Sequence, residues 1–452
     1  MTAELIQKAL AMPPDEVRRL HASHVNPTYI EALGMLGYGR DFVRGEGCRL
    51  WDAKGTEYLD FVASYGTLLL GHNHPDVRAA IEEVLRAGVP GFLQVAPQPL
   101  LVAVAARLAR LSGQQMVYLA SSGSEAVEGA MKLARAATSR PRFVAAERGY
   151  HGMTFGALSV SGHEKHRAPF EPLLPGCAIV PWGDPSAIER EVKKRDVAAV
   201  VLEPMQGEGG MRPPPPGYLA EVARVCRRYG TLLILDEIQT GLGRTGKMFG
   251  ADHDGVVADV VCVAKGLSGG LVPISAYLTR KDIWQRAYGT LARYDVHSAT
   301  FSGGAVACAA ALATLEVLER DRLPAHAAEM GTYLGEQVRA AVGSHRLIRE
   351  VRGRGLLWGI ELKAPAGTAG ALVAQWLVVG LMNRGIVTQV GTQAADVVRV
   401  EPPLIVDKPQ IDRFARALSE TLAEHSTGVL SSLAGAAREL IRGKLANHGD
   451  PA

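Results

Sequence analysis

Several features that mark other protein classes are missing from this sequence of 452 residues. The net charge of +3 is small for that length and gives no reason to expect binding to nucleic acid or to an anionic membrane. The five cysteines are scattered without a Cys-x-x-Cys pair, which favours reduced thiols over disulfides or a zinc site. We find no internal repeat. The composition therefore predicts no metal site and no nucleic-acid partner.

Long hydrophobic runs are missing as well. Residues 1–21 include Glu4, Asp15 and Glu16 and lack the apolar stretch of a signal peptide. The apolar run from Ala371 to Met382 is too short to span a bilayer, and we expect it to form a core helix. These absences predict a cytoplasmic protein that does not insert into a membrane.

What is present indicates a globular α/β protein, with 47% hydrophobic and 21% charged residues. From about residue 75 to about 330, short apolar segments alternate with longer helical ones. The seven predicted strands are 116–120, 142–146, 178–180, 198–203, 232–236, 260–264 and 274–279. The predicted helices include 125–138, 217–229 and 305–320. This alternation predicts a mostly parallel sheet with helices on both faces, and ligands bound beyond the carboxyl ends of its strands.

The flanking regions predict a second, smaller α+β domain. Residues 1–74 combine helical spacing at 1–24 with a hairpin at 49–61, and we expect them to join a C-terminal small domain at 331–428. Residues 75–330 would then be the large domain. An amphipathic helix predicted at 429–446 forms a C-terminal extension, 429–452.

Two strand ends carry the most informative residues. Leu232–Leu235 is an apolar run that ends in Asp236, and Val260–Ala264 ends in Lys265 followed by glycine. An acid and an amine at one edge of a sheet suggest a cofactor with a ring nitrogen and an aldehyde, and pyridoxal phosphate (PLP) is the obvious candidate. The alternative is that both are polar strand-end residues satisfied by their neighbours.

A loop after the first predicted strand indicates an anion site. Ser122, Gly123 and Ser124 stand where a helix begins, so their backbone N–H groups and hydroxyls could bind a phosphate. The alternative interpretation is an ordinary helix N-cap.

Further candidates follow other strands or precede a helix. Tyr150 and His151 lie between glycines after a strand, where the tyrosine could stack on a planar ring or simply pack. Glu203 ends a strand and is followed by a glycine-rich loop with Glu208, which suits close approach of backbone to a ligand. Thr300 precedes an alanine-rich helix and is either a phosphate contact or a turn residue.

These segments, in this order, resemble the class III (subgroup II) aminotransferases of PLP fold type I over nearly the whole chain. The block from Asp236 to Gly246, Asp-Glu-Ile-Gln-Thr-Gly-x-Gly-Arg-Thr-Gly, with Lys265 downstream, carries the resemblance. The stretches that resemble the putrescine aminotransferase branch are 26–27, 196–204, 214–219, 308–314 and 398–404. The resemblance implies a large domain with a mostly parallel seven-stranded sheet and a smaller α+β domain.

The resemblance also implies cofactor-binding roles. The implied roles are the Schiff-base lysine for Lys265, the partner of the pyridine nitrogen for Asp236, a place near the ring hydroxyl for Gln239, stacking for Tyr150, the phosphate loop for Gly123 and Ser124, and a phosphate contact from the neighbouring subunit for Thr300. We also expect Ser122, His151 and Glu203 to line the cofactor site.

On the substrate side, the resemblance implies that Arg399 binds the α-carboxylate of an amino acid or 2-oxo acid. Glu208 would pair with this arginine and switch between substrates, and Tyr65 would be a nearby aromatic residue. Guanidinium suits bidentate carboxylate binding, and pairing would neutralise it when the substrate has no carboxylate.

The implied activity is transfer of an amino group between a primary amine (a diamine or ω-amine, putrescine-like) and a 2-oxo acid such as 2-oxoglutarate, or amination of an aldehyde in reverse. The expected assembly is a homodimer with active sites at the interface. Alternatives are an ornithine or acetylornithine aminotransferase, a PLP aminomutase or racemase, and a PLP-binding regulator. Two departures from the family are Leu69, where relatives often carry asparagine, and Ser302–Val306, which should change the start of a helix.

Overall fold

The computed structural model describes residues 2–92, 95–364 and 369–424, so the helix predicted at 429–446 lies outside the described residues. The strands are β1 (Phe42–Glu46), β2 (Arg49–Asp52), β3 (Glu57–Asp60), β4 (Met116–Ala120), β5 (Arg142–Ala146), β6 (Cys177–Val180), β7 (Val197–Leu202), β8 (Leu232–Asp236), β9 (Val260–Val263), β10 (Ser275–Thr279), β11 (Ile348–Arg354), β12 (Leu357–Leu362), β13 (Ile386–Val387), β14 (Gln389–Val390) and β15 (Val397–Val400). The helices are α1 (Thr2–Leu10), α2 (Pro14–His24), α3 (Pro27–Met35), α4 (Ala63–Gly66), α5 (Pro75–Ala87), α6 (Pro99–Ser112), α7 (Gly123–Thr138), α8 (Phe155–Ser159), α9 (Glu164–Arg167), α10 (Pro185–Val192), α11 (Tyr218–Tyr229), α12 (Lys281–Tyr288), α13 (Ala305–Arg320), α14 (Leu323–Val342), α15 (Gly370–Asn383) and α16 (Lys408–Ala423).

The large sheet has seven strands in the order β4-β10-β9-β8-β7-β5-β6. Strand β10 is antiparallel to both of its neighbours, and the other pairs are parallel. The carboxyl ends of β5, β7, β8 and β9 therefore meet at one edge of the sheet. All seven predicted strands are confirmed, with ends that differ by at most one residue.

Alternating side chains of the large sheet pack into two separate cores. In β8, Leu233 and Leu235 join one hydrophobic cluster, while Leu232 and Ile234 join the other. Helices α6, α10, α11 and α13 contribute to the first cluster, and α7 and α12 to the second. Since a strand turns successive side chains to opposite faces, this confirms the predicted sheet with helices on both faces.

Two four-stranded sheets flank the large one, in the orders β1-β2-β3-β13 and β11-β12-β15-β14. The predicted hairpin forms β2 and β3, and β13 from the C-terminal region adds to β3 in parallel. The N-terminal hairpin and the C-terminal part of the chain therefore share a sheet.

Other predictions hold in part. The helical segment expected at 1–24 is two helices, because Pro13 and Pro14 interrupt it and Pro14 starts α2. The apolar run at 371–382 forms the core helix α15. Leu69, one of the departures from the family, is buried in the main hydrophobic cluster.

The described residues contain no helix long and apolar enough to cross a membrane. Within the same ranges, no group of three or more histidine, cysteine, aspartate or glutamate side chains could hold a metal ion.

Candidate active site

A cavity of about 540 Å³ opens at the carboxyl edge of the large sheet. Its size is in the range of small-molecule sites. Its lining contains nine of the predicted site residues: Ser122, Gly123, Ser124, Tyr150, His151, Glu203, Asp236, Gln239 and Lys265. The sheet topology explains this, because the loops after β4, β5, β7, β8 and β9 converge there.

At one end, which we call the lysine end, Lys265, Asp236, His151 and the N-terminus of α7 surround the cavity. Asp236 is buried, and its Oδ2 lies 2.8 Å from Nδ1 of the buried His151. Burial alone would lower the pKa of His151, but the hydrogen bond to Asp236 and the charges of Asp236 and Glu203 raise it. The arrangement stabilises a proton on His151.

Lys265 has an unusual backbone conformation two residues after the end of β9. Its φ is +44°, in the left-handed region that non-glycine residues rarely occupy. Such outliers cost free energy and concentrate at functional sites. Burial lowers the pKa of the Lys265 amine despite the nearby charges of Glu401 and Glu208. A lowered pKa favours the neutral, nucleophilic amine.

The N-terminus of α7 forms another wall of the lysine end. Ser122 is an N-cap, as its Oγ accepts a hydrogen bond from the backbone N–H of Glu125 at 3.2 Å, while the Glu125 carboxylate accepts from the N–H groups of Ser121 and Ser122. The N-cap interpretation is thus confirmed, and the loop faces the cavity as well. A helix start of this kind attracts anions.

Glu203 holds two loops of the site in place. Its carboxylate accepts hydrogen bonds from the backbone N–H groups of Tyr150, at 3.1 Å, and Gly207, at 2.9 Å. Burial raises the pKa of Glu203 to about 7, although these hydrogen bonds and the charge of His151 act against it. Glu203 lines the cavity, but its hydrogen bonds go to the backbone of its neighbours.

Outside the cavity lining and joined to it through Gln239, in a group that we call the arginine end, Arg399, Glu208, Glu401 and Tyr65 lie together. Arg399 in β15 donates a hydrogen bond from Nη1 to Glu208, and both side chains are buried. Glu208 also accepts a 2.5 Å hydrogen bond from the Thr392 hydroxyl. Burial alone would raise the pKa of Glu208, but the charges of Arg399 and Lys265 and these hydrogen bonds lower it to about 2. The predicted pair is therefore an ionised, buried salt bridge.

Glu401 is the member of the arginine end that the sequence analysis missed. Its fully buried carboxylate accepts hydrogen bonds from Arg399 Nη2 at 2.9 Å and from Gln239 Nε2 at 3.0 Å. The signal was present, because residues two apart on an extended strand face the same side. Gln239, which lines the cavity, thereby connects the lysine end to the arginine end.

Tyr65 lies in a left-handed turn, as Ala63, Ser64, Tyr65 and Gly66 of α4 all have positive φ. The turn places the Tyr65 ring 5.0 Å from the Arg399 guanidinium carbon, within cation–π range. Gln389 donates a 2.6 Å hydrogen bond to the Tyr65 hydroxyl.

Four predicted site residues are not in the cavity lining: Tyr65, Glu208 and Arg399, which form the arginine end, and Thr300. Thr300 is exposed on the segment before α13, which begins at Ala305 with Gly304 as its N-cap. A contact to the site of a second copy remains a prediction.

The residues at the lysine end are complementary to the three functional groups of PLP. Asp236 offers a buried carboxylate for a ring nitrogen, Lys265 an amine for an aldehyde, and the start of α7 a place for a phosphate. Two glycines keep the space open: a Cβ on Gly207 would collide with Gln239, and one on Gly152 with Ser124. The residues present therefore fit the cofactor suggested by the sequence.

Comparison with known families agrees with this geometry. The family model "Aminotransferase class-III" matches residues 36–422. The chain belongs to the class-III aminotransferases. Pyridoxal phosphate is accordingly its cofactor.

Individual relatives of this class-III aminotransferase span several named activities. Aminotransferase PigE of Serratia sp. (strain ATCC 39006) is 36% identical over 91% of this chain and 54% of that protein, so the chain spans about half the length of the curated relative it matches. An ornithine aminotransferase from Toxoplasma gondii is 30% identical, with a TM-score of 0.85 over 96% of this chain and 99% of that one. An amine transaminase from an uncultivated Pseudomonas species, solved with PLP bound, is 29% identical, with a TM-score of 0.79 over 86% and 95% of the two chains.

Proposed function

We propose that this chain transfers an amino group between a primary amine of the diamine or ω-amine type, such as putrescine, and a 2-oxo acid such as 2-oxoglutarate. In reverse, the same reaction aminates an aldehyde. The observation that carries the proposal is the buried Arg399–Glu208 pair beside the Lys265 cavity. An arginine that one carboxylate already neutralises can exchange that partner for a substrate carboxylate, and it can stay paired when the substrate is a simple amine.

PLP, when bound, supplies an aldehyde that condenses with amines and a ring that withdraws electrons from the substrate Cα. Asp236 would hold the ring nitrogen, and its hydrogen bond to His151 fixes the orientation of that carboxylate. Ser122–Ser124 would bind the phosphate, Tyr150 would pack on the ring, and Gln239 would lie near the ring hydroxyl. These assignments follow the family pattern and the positions of the side chains in the cavity.

Lys265 has two tasks in this proposal. Its neutral amine would hold the cofactor through the aldehyde, and the same nitrogen would be the base that takes a proton from the substrate Cα. The lowered pKa of Lys265 supports both tasks, since a protonated amine could perform neither.

The proposed active unit is a cytoplasmic homodimer. Thr300 is exposed beside Phe301, which is also exposed, and a second copy placed there would bring Thr300 to a neighbouring phosphate site. Light scattering would contradict the dimer if a fully active preparation consisted of monomers.

The visible absorption spectrum of the PLP-loaded protein tests the proposal. Putrescine added without an oxo acid should bleach the band of the bound cofactor, and 2-oxoglutarate should restore it. An unchanged band would exclude putrescine as a donor, and ornithine and apolar ω-amines would be tested next. Product formed in large excess over the cofactor without any oxo acid would instead indicate a mutase or racemase.

A further inference from the structure

Glu401 occupies a position in the arginine end that the proposed function does not explain. It directly follows β15, and its backbone N–H donates a 2.8 Å hydrogen bond to the carbonyl of Phe61. A Cβ added to Gly66 would collide with the Glu401 carboxylate, so the left-handed turn fits closely against it. Glu401 is therefore fixed by both its backbone and its surroundings.

Two hydrogen-bond donors and a second guanidinium surround this one carboxylate. Arg399 Nη2 and Gln239 Nε2 donate to it at 2.9 and 3.0 Å, and Arg244 Nε lies 4.0 Å from Oε1. Arg244 is fully buried and holds the carbonyls of Leu356 and Pro402 through Nη1. Glu401 thus links the arginine expected to bind substrate to the glutamine that lines the cofactor cavity.

The charges of the arginine end balance only when both glutamates are present. Two buried cations, Arg399 and Arg244, face two buried anions, Glu208 and Glu401. If a substrate carboxylate displaces Glu208, Glu401 is the anion that stays with both arginines. An unpaired buried charge is strongly destabilising, so this second anion matters in the half-reaction that binds the oxo acid.

The two carboxylates have different attachments. Glu208 belongs to a glycine-rich loop and is held at its tip by Arg399 and Thr392. Glu401 follows a central strand of its sheet and is enclosed by the turn at Gly66. The loop carboxylate is thus the one suited to leave Arg399, and the strand carboxylate the one suited to remain.

Resting on the proposed function, we infer that Glu401 is a positioning residue: it fixes Arg399 against Gln239, so that a substrate carboxylate replaces Glu208 and no other partner. Glu401 itself touches neither substrate nor reacting atoms. It determines where the guanidinium presents the N–H donors that Glu208 vacates, and thereby how tightly Arg399 binds the carboxylate of an oxo acid.

Binding of glutarate, an unreactive dicarboxylate, to the PLP-loaded protein tests this by calorimetry. Glu401→Gln should weaken binding about 10-fold, because a glutamine has one acceptor oxygen for the two donors and its NH₂ group faces one of them. Glu208→Gln should tighten binding, because a competing carboxylate is gone. If Glu401 acted only through its negative charge, Glu401→Gln would bind glutarate more tightly than the wild type. The direction of the change in glutarate affinity therefore separates a positioning role from a simple electrostatic one.

Glu319→Gln is the matched control, since Glu319 also lies between two arginines, Arg107 and Arg110, but far along the chain on α13. It should leave glutarate binding unchanged. Unchanged or tighter binding in Glu401→Gln would overturn the inference. If Glu401→Gln does not retain PLP, Glu401→Asp, which keeps the charge but shortens the reach, should still weaken binding, and wild-type binding there would also overturn it.

The half-reactions give a second readout. In Glu401→Gln, the KM for 2-oxoglutarate should rise about 10-fold while kcat changes less than about threefold. Because glutarate binding requires no amine donor, a failure of putrescine as donor would leave this test intact and would count against the proposed function alone.

Discussion

At the lysine end, Asp236 ends β8 and Lys265 lies two residues after β9, its parallel neighbour in one sheet. At the arginine end, Glu208, Arg399 and Tyr65 come from a loop, a strand of a second sheet and a left-handed turn. The lysine end is therefore positioned by sheet topology alone. The arginine end depends on how separate parts of the chain pack together. Residues that perform the chemistry common to a family are therefore expected at the lysine end, where one sheet positions them. Residues that set substrate preference are expected at the arginine end, where the packing of separate segments can vary.

The largest expected effect is at the lysine end. Lys265→Ala removes the only proposed base and the attachment of the cofactor, so turnover should fall by at least about 10³-fold. Steady-state rates and the visible band of the cofactor measure this. Lys247→Ala, which loses an exposed lysine bound to the Asp252 carbonyl, should behave like the wild type. Near-normal turnover in Lys265→Ala would refute the assignment.

Asp236→Asn should cost less, on the order of 10²-fold in kcat, because the ring nitrogen would lose its charged partner while the shape is kept. The pKa of His151 should also fall, since its raised value depends on Asp236. The pH dependence of kcat measures both effects. Asp259→Asn is the control at the opposite end of β9, where Asp259 accepts a hydrogen bond from the Leu233 N–H. Equal losses in the two variants would contradict a special role for Asp236.

Much of the lysine end could be predicted from the sequence, because buried strands are apolar runs and parallel strands end at one edge. Ser122 shows where prediction from the sequence stops. The sequence around it was compatible with both a helix N-cap and an anion site, and the structure shows an N-cap that also faces the cavity. The arginine end was predictable only through family resemblance. The turn at Tyr65 has positive φ at three non-glycine residues, and local propensity does not predict this.

Thr300→Ala tests whether a second chain contributes a phosphate contact to the lysine end. We expect PLP to bind roughly 10-fold more weakly, as one hydrogen bond to a phosphate would be lost. Titration of the unloaded protein with PLP gives the affinity, and Thr290→Ala on the same exposed segment is the control. Unchanged affinity would count against a phosphate contact from Thr300.

The smallest effect concerns stability. The pKa values of Glu203 and Glu237 are raised by burial from an ordinary 4.5 to about 7, so the native state keeps protons that the unfolded chain releases. The free energy of unfolding should therefore fall as pH rises from about 4.5 to about 7, and stay lower above that. Denaturant titrations across this range measure the slope.

Each of these two glutamates should account for part of that slope. Glu203→Gln and Glu237→Gln should both flatten it, but only Glu203→Gln should alter the cofactor band, because Glu203 holds the Tyr150 and Gly207 loops. Glu237 instead accepts hydrogen bonds from the N–H groups of Gly250 and Ala251. An unchanged slope in both variants would show that neither carboxyl titrates in this range.

The most direct test of amino transfer is to follow the nitrogen itself. The PLP-loaded protein would be incubated with ¹⁵N-labelled putrescine and unlabelled 2-oxoglutarate, and the products analysed by mass spectrometry. The account predicts that the label appears in glutamate and that the amine becomes an aldehyde. Label that stays in the amine, with no labelled glutamate formed, would contradict it.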